Sequence, residues 1–287
     1  MDNYRIFTDS ACDVDPALLE KLEVDYLSLT FKFDNDNVEY QNYEMSTFEF
    51  YKRMRDGGVA KTSAVSSGAF YIEFKKALDK HMDVLYLGFS SGISNTYNSA
   101  RIAAEELEAE YPQRKIIAVD TLCASAGMAL LIKYAVDMKR SGAEIEAVVA
   151  YVNEMKSKIC HWFTVDDLVY LKRGGRISSA AAFFGNVLGI KPVLHMDEDG
   201  KLVNMFKVRG RRASAFALAD KYGELALDTR SIAYISCADC YSDAELLKEI
   251  LEQRYGATVE LITNVGPVIG AHSGPGTLAL FFIGKER

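Results

Sequence analysis

The stretch that decides the fold is residues 83–111, which read DVLYLGFSSGISNTYNSARIAAEELEAEY. Its first part, Asp83–Phe89, has five apolar residues in seven and many β-formers, so it predicts a buried strand. A serine-rich loop follows, and apolar residues then recur at helical spacing. The positions on this stripe are Tyr97, Ala100, Ala104, Leu107 and Tyr111. The stretch therefore predicts one strand–loop–helix unit of an α/β protein.

The same unit recurs on both sides of this stretch. Tyr4–Phe7 predicts a short strand, and Pro16 opens the helix that follows it. Lys115–Asp120 predicts another strand and Thr121–Lys139 another helix. Strands that alternate with helices through short connections form a parallel sheet with helices on both faces. We therefore predict an α/β fold with two domains, of which residues 1–157 are the N-terminal one.

Two segments depart from this alternation. Residues 27–44 alternate in hydrophobicity around the turn Asp34–Asn37, which predicts a β-hairpin arm on the N-terminal domain. After Ser141, helices are mixed with strands that read as antiparallel, including a pair around the turn Asp197–Gly200. We predict that residues 158–287 form a C-terminal α+β domain with a mixed sheet.

The overall composition narrows the class of protein. The chain has 287 residues, of which 49% are hydrophobic and 25% charged, as is usual for globular proteins. A net charge of −7 argues against nucleic-acid binding, which requires clustered cations. No apolar run reaches the roughly 18–20 residues of a membrane span, and the first residues lack a secretory pattern. Five cysteines, two of them in the pair Cys237 and Cys240, then indicate reduced thiols and a cytoplasmic protein.

Three polar loops are candidates for ligand binding. Ser90–Thr96 joins the carboxyl end of a strand to a helix start, where unpaired amides stabilise an anion. Alternatively, Ser94 only caps that helix. Lys61–Gly68 offers several hydroxyl groups ahead of another helix. Val265–Thr277 is rich in glycine and proline, which predicts an irregular loop around His272, and a histidine there is either structural or functional.

A basic bend precedes an apolar segment in the second half of the chain. Lys172–Arg176 reads KRGGR, and Ala180–Ile190 is almost wholly small or apolar. The apolar segment predicts a helix with Ser178 as its cap. Cations beside an apolar helix suit a ligand with an anionic head and an apolar body. The alternative is an ordinary corner whose apolar side belongs to the core.

The sequence lacks the common catalytic motifs. It contains no GxSxG elbow, no HExxH helix and no glycine-rich nucleotide cradle after a strand. A triad of Ser94, His272 and Asp9 would require the fold to bring these residues together. A small-molecule hydrolase or transferase that uses Ser94 and His272 is therefore the alternative function. The loops, the bend and the apolar segment together favour holding a carboxylate with an apolar tail.

Several short motifs occur in a fixed order along the chain. They are Thr8–Ser10, Thr62–Ser63, Ser90–Tyr97, Leu171–Ser178, Gly189–Pro192, Lys207–Arg209 and Gly270–Gly276. In these segments, and over nearly its whole length, the chain resembles the DegV family of bacterial fatty-acid-binding proteins. Asn95 stands where the family usually has glycine, and Ser273 stands where threonine is usual. Neither change removes a hydroxyl group or the histidine.

The resemblance implies a DegV-like fold in which two domains bury one long-chain, palmitate-like fatty acid between them. It implies that Thr62 and Ser94 hydrogen-bond the carboxylate and that His272 completes this network. The other residues expected at the carboxylate are Ser63, Asn95 and Arg176. The residues expected to wall the acyl chain are Phe183, Phe184, Val187, Leu188 and Ile190. The fatty acid is the only expected ligand, without a metal or a cofactor.

The family also implies a protein partner. A fatty-acid kinase phosphorylates the bound carboxylate with ATP, so the carrier is not itself an enzyme. Arg173 and Arg209 are the candidates for docking that kinase or for steadying the acyl phosphate. Transient contact with a membrane during loading is compatible with this function.

Overall fold

The computed structural model describes residues 4–177 and 189–287, whose strands form three sheets. The strands are β1 (Tyr4–Asp9), β2 (Val24–Leu27), β3 (Thr30–Phe33), β4 (Tyr40–Gln41), β5 (Ala60–Ser63), β6 (Asp83–Gly88), β7 (Ile116–Asp120), β8 (Ile159–Thr164), β9 (Ile190–Met196), β10 (Leu202–Arg209), β11 (Ile232–Cys237), β12 (Thr258–Asn264) and β13 (Leu278–Ile283). The helices are α1 (Pro16–Lys21), α2 (Thr47–Arg55), α3 (Ser67–Leu78), α4 (Thr96–Glu110), α5 (Ser125–Arg140), α6 (Ile145–Met155), α7 (Val169–Arg173), α8 (Arg211–Leu225), α9 (Tyr241–Tyr255) and α10 (Pro267–Ser273). Two short 3-10 turns lie at Ser10–Cys12 and Lys156–Lys158.

The first sheet is parallel, as predicted. Its strand order is β2-β1-β6-β7, and α3 and α4 pack against β6. Residues 84–87 at its centre are fully buried, which agrees with the apolar run in the sequence. Because all strands point the same way, the loops that follow β6 and β7 meet at one edge of the sheet. Residues 89–95 and 121–124 form these two loops.

The predicted hairpin is part of a small antiparallel sheet rather than a free arm. Its two strands are β3 and β4, and β5 adds a third strand on the other side of β3. Phe31 and Phe33 of β3 are fully buried against Phe50 of α2. The strand β5 contains Thr62, so this residue lies in a strand and not in the predicted polar loop. The aromatic cluster therefore fixes the position of Thr62 through the pairing of β3 with β5.

The second half of the chain forms the predicted mixed sheet. Its order is β10-β9-β8-β13-β11-β12, in which β11 and β12 are parallel and the other neighbours are antiparallel. Successive side chains of a strand point to opposite faces. On the outer face, residues such as Leu280 and Phe282 form a core with α8 and α9. On the inner face, Phe163, Ala279 and Phe281 belong to the same core as the parallel sheet.

Helix α5 connects the two halves. It follows β7 of the parallel sheet and packs on β8, β11 and β13 of the mixed sheet. The Ala124 amide just before it donates to His161 Nε2 at 3.2 Å. Ser90 Oγ in the loop after β6 donates to the Gly200 carbonyl at 2.8 Å. The domain boundary between residues 157 and 158 remains a prediction, because one buried core runs through both halves.

The segment around His272 is helical, which corrects the predicted irregular loop. Pro267 is the first residue of α10, a position where proline is tolerated because its missing amide would have no partner. Gly270 lies inside the helix. Its lack of a side chain is needed because a Cβ atom there would collide with the Tyr51 hydroxyl. The glycines and prolines of this segment thus mark a helix start and a close contact.

The structure also corrects the carboxyl end of the apolar helix predicted over Ala180–Ile190. Ile190 begins β9 and pairs with Arg209 of β10, so it belongs to the mixed sheet. The other residues of that prediction lie outside the described residues, namely Ser178, Phe183, Phe184, Val187 and Leu188. None of the helices in the two described ranges is long and apolar enough to span a membrane.

Candidate functional site

A cavity of about 220 Å³ lies where the two halves meet. The inner face of the mixed sheet contributes Phe163, Met196, Ala279 and Phe281 to its lining, and α10 contributes Val268 and Ile269. The loop after β6 adds Phe89 and Ile93, and the start of α5 closes another side. The cavity is therefore bounded mainly by apolar side chains, and polar groups are confined to particular places on its wall.

One polar group of the wall centres on Thr62 and His272. Thr62 Oγ1 and His272 Nε2 are 2.8 Å apart, which joins β5 of the small sheet to α10. Ser94 and Asn95, before α4, line the same cavity. Ser94 Oγ accepts the Thr96 amide at 3.2 Å and shares a 2.9 Å hydrogen bond with Thr96 Oγ1. Ser94 therefore bonds the first amide of α4 and lines the cavity at once, whereas the N-cap residue of α4 is Asn95, whose side chain makes no capping hydrogen bond.

His272 is neutral in this environment. Burial, and after it the charge of Arg176, lower the pKa of His272 from 6.5 to about 4. Its Nδ1 atom is buried and has no hydrogen-bond partner in the described part of the chain. Because buried N–H donors are rarely left unpaired, we place the proton on Nε2, which then donates to Thr62 Oγ1. The Thr62 hydroxyl hydrogen is thereby left for a ligand in the cavity.

Arg176 brings a positive charge to this end of the cavity. Its Nε donates to the Ile93 carbonyl at 2.9 Å, and Nη1 donates to the Gly174 carbonyl. These bonds tie the bend after α7 to the loop after β6. Burial lowers the pKa of Arg176, but a guanidinium group stays charged at neutral pH. The wall therefore combines hydroxyl donors, a neutral imidazole and one cation, which is a set that suits a carboxylate.

Gly174 allows His272 to occupy its position. A Cβ atom on Gly174 would overlap the imidazole ring, so only glycine permits the ring to lie against this backbone. Gly174 has a φ of −72°, so its requirement is for space and not for an unusual backbone conformation. The glycines of the KRGGR bend are thus explained partly by close packing against α10.

Other residues predicted for the site lie elsewhere. Ser63 is exposed and does not line the cavity, because it points away from the face of β5 that carries Thr62. Ile190 does not line the cavity either. Arg173 and Arg209 are both exposed, the first at the end of α7 and the second at the end of β10.

The structure does not assemble the triad of Ser94, His272 and Asp9. Asp9 is fully buried and accepts hydrogen bonds from the Tyr86 hydroxyl and from two backbone amides. His272 Nε2 is bonded to Thr62, and no hydrogen bond joins His272 to Ser94 among the described residues. Asp9, the last residue of β1, therefore ties the carboxyl end of β1 to that of β6, and the geometry does not support the hydrolase alternative.

Several lining residues were not predicted from the sequence. Ser125, His161 and Ser236 are buried and face the cavity, as do Ser273 and Thr277. The strands β8 and β11 that carry His161 and Ser236 are buried along nearly their whole length, so the sequence has no alternation that would identify the inner face. Within residues 4–177 and 189–287, no group of three or more His, Cys, Asp or Glu residues could hold a metal ion.

This chain is similar to known proteins over its whole length. A DegV domain-containing protein of Clostridium perfringens is 41% identical over 100% of this chain and 99% of its own length. A protein named fatty acid-binding protein, of Thermotoga maritima, is 35% identical over 99% of this chain and 98% of its own. The crystal structure of a DegV lipid binding protein from the same organism matches with a TM-score of 0.85 and 32% identity, covering 99% of both chains.

The fold is that of an α/β protein in which a parallel sheet and a mixed sheet pack around an apolar cavity. A sequence profile described as "Uncharacterised protein, DegV family COG1307" matches residues 3–285. This chain belongs to the DegV family. Both the resemblance seen in the short motifs and the predicted fold class are thereby confirmed.

Proposed function

We propose that this protein binds a long-chain fatty acid in the cavity and holds its carboxylate at Thr62, Ser94 and His272. The observation that carries the proposal is an apolar cavity whose wall has a hydroxyl–imidazole pair, Thr62 Oγ1 to His272 Nε2 at 2.8 Å, next to the cation Arg176. The names of the relatives support a fatty acid as the ligand. Asn95 lies at the same end and forms part of the rim.

The two ends of such a ligand contribute differently to its affinity. Each buried CH₂ group is worth roughly 0.8 kcal/mol, so about 15 of them contribute on the order of 12 kcal/mol before the costs of association. Each hydrogen bond to the carboxylate contributes about 1.5–3 kcal/mol. The acyl chain therefore supplies most of the affinity, and the hydroxyl groups determine which end of the ligand lies at Thr62.

Ser94→Ala is expected to weaken stearate binding about tenfold, because one hydrogen bond to the charged head is lost. Binding of methyl stearate, which has no negative charge, should change much less. Calorimetric titration of both ligands gives the ratio of the two affinities. Equal losses for acid and ester would contradict the assignment of Ser94 to the carboxylate.

Ser66→Ala is the matched control for this experiment. Ser66 Oγ caps α3 by accepting the Ala69 amide at 3.2 Å, much as Ser94 Oγ accepts an amide in the first turn of α4, but Ser66 does not line the cavity. The control therefore loses a helix cap, worth about 1 kcal/mol of stability, without losing a ligand contact. Its affinity for stearate should equal that of the unchanged protein.

We further propose that the protein is a carrier that presents the carboxylate to a fatty-acid kinase, and that it works in the cytoplasm. The enclosure of the acyl chain supports this function, because a soluble enzyme otherwise meets fatty acids only as aggregates or in membranes. Arg173 and Arg209 are exposed, so both can meet an acidic surface or an acyl phosphate, and the Arg173 guanidinium group also lies 5.6 Å from the centre of the Tyr170 ring. Loading by brief contact with a membrane is part of the same proposal.

Arg209→Ala is expected to slow kinase-dependent phosphorylation of the bound fatty acid about tenfold while leaving stearate affinity unchanged. An exposed charge at an interface affects mainly encounter with the partner, so the effect should shrink as salt is raised. The assay couples the loaded protein to a bacterial fatty-acid kinase with ATP. Arg230→Ala, at another exposed arginine, serves as the control. Equal rates for the two variants would remove Arg209 from the docking surface.

A further inference from the structure

The cavity wall has a second polar cluster, formed by Ser236, Ser125 and Asp13. Ser125 Oγ donates to Asp13 Oδ2 at 2.6 Å and is 2.9 Å from Ser236 Oγ. Asp13 Oδ1 accepts the Gly266 amide at 2.9 Å. Asp13, Ser125 and Ser236 are at most 5% exposed, and both serines line the cavity. This hydroxyl chain therefore begins at the cavity and ends on a buried carboxyl group.

The second cluster is well separated from the proposed carboxylate site. Gly266, which bonds Asp13, immediately precedes α10, and His272, which bonds Thr62, lies near the other end of that helix. Six residues of helix rise by about 9 Å. A fatty acid held by its carboxylate at Thr62 would therefore meet Ser236 and Ser125 partway along its chain.

The backbone holds this cluster in a specific conformation. Ser125 has a φ of 52° and Asp13 a φ of 54°, in the left-handed region that residues other than glycine rarely adopt. Such conformations persist where the surrounding structure enforces them, and they concentrate at functional sites. Here both members of one hydrogen bond are held this way, one at the start of α5 and the other after the first strand.

The directions of these hydrogen bonds leave the Ser236 oxygen able to accept a hydrogen bond from a ligand in the cavity. Since Ser125 donates to Asp13, Ser236 donates to Ser125, and the Ser236 oxygen keeps its acceptor sites. Within the described ranges Ser236 Oγ has no other hydrogen-bond partner. Burial raises the pKa of Asp13 to about 7, so the carboxyl group can also be protonated near neutral pH. It then donates to Ser125, and the direction of both hydrogen bonds is reversed. A hydroxyl group, which both donates and accepts, fits Ser236 in either state.

We propose that Ser236, supported by Ser125 and Asp13, is a subsite for a hydroxyl group on the acyl chain, so that the preferred ligands include long-chain hydroxy fatty acids. The inference rests on the proposed function, because the carboxylate must lie at Thr62 for the distances to apply. An unsubstituted chain can pass the subsite, since Ser236 already bonds Ser125 and Ser125 already bonds Asp13. A chain with its hydroxyl at the matching carbon gains one buried hydrogen bond.

The test is a titration of stearate and of hydroxystearates whose hydroxyl group moves stepwise along the middle of the chain. We expect one position, or two adjacent ones, to bind at least about tenfold more tightly than the other isomers. Ser236→Ala should abolish this maximum, so that the isomers bind the variant with similar affinities. Ser236→Thr, which keeps a hydroxyl group, should retain the maximum. Ser231→Ala, a serine that borders β11 and does not line the cavity, should behave as the unchanged protein.

The outcomes separate the subsite from the proposed function. Tight binding of stearate with no maximum among the isomers, as expected if the cluster holds only water, would overturn the subsite alone. A maximum that survives in Ser236→Ala would also overturn it. Failure of the unchanged protein to bind stearate and every hydroxystearate would overturn the proposed function itself. The isomer series uses the unchanged protein, so it stays decisive even if Ser236→Ala does not fold.

Discussion

Replacing Ala279 with phenylalanine is expected to reduce the affinity for stearate about a thousandfold. Ala279 lies on β13 in the inner face of the mixed sheet and lines the cavity. A phenyl ring there takes the room of about five CH₂ groups, each worth roughly 0.8 kcal/mol on burial. The sum of about 4 kcal/mol corresponds to the stated change in Kd. Calorimetry or displacement of a fluorescent fatty acid measures the loss.

The protein should stay folded, because the added ring enters existing space. Thermal unfolding without ligand checks this, and Ala279→Val should give a smaller loss of affinity in the same direction. Ala147→Phe, at an exposed position on α6, is the control for an added aromatic ring. If folded Ala279→Phe binds stearate within about threefold of the unchanged protein, the acyl chain does not lie in this cavity.

The second large effect is expected from Gly174→Ala, which should weaken stearate binding about a hundredfold. The new methyl group overlaps the His272 ring, so the ring must leave its position and the 2.8 Å bond to Thr62 must break. The Thr62 hydroxyl then loses its orientation together with the imidazole. Loss of two hydrogen-bonding groups at a charged head costs about 3 kcal/mol.

A control variant and a second ligand distinguish this effect from a general loss of stability. At Gly68 a Cβ atom meets nothing within 4 Å, so Gly68→Ala should leave binding unchanged. Methyl stearate should lose much less affinity than stearate in Gly174→Ala. Imidazole nitrogen signals in NMR should show His272 leaving its neutral, Nε2-protonated form. An unchanged His272 signal with normal stearate affinity would refute the packing argument.

The candidate carboxylate residues were open to prediction because their signals are local. Ser94 follows a long apolar strand and precedes a helix, which is where a parallel sheet presents ligand groups. Gly174 and Arg176 stand in a short basic bend. These polar or glycine-rich segments stand between apolar ones, so they can be recognised from the sequence alone.

Much of the described apolar wall of the cavity was not predicted, for the opposite reason. Leu278–Ile283 is apolar throughout, so its sequence does not say that Ala279 and Phe281 face a cavity while Leu280 and Phe282 face α8 and α9. The sequence pattern predicts a helix at Ile190 because an apolar run of that length fits both a helix and a strand. Only pairing with Arg209 assigns it to a strand.

By itself, the sequence determined the α/β class, the parallel order of the first half and the mixed sheet of the second, because strand and helix periodicities are properties of short segments. The tertiary structure alone decided which hydroxyl groups meet. Thr62 and His272 are 210 residues apart in the chain, and Asp13 and Ser125 are 112 apart. Their contacts depend on how two sheets pack through one buried core, and no local pattern encodes the relative placement of segments so far apart.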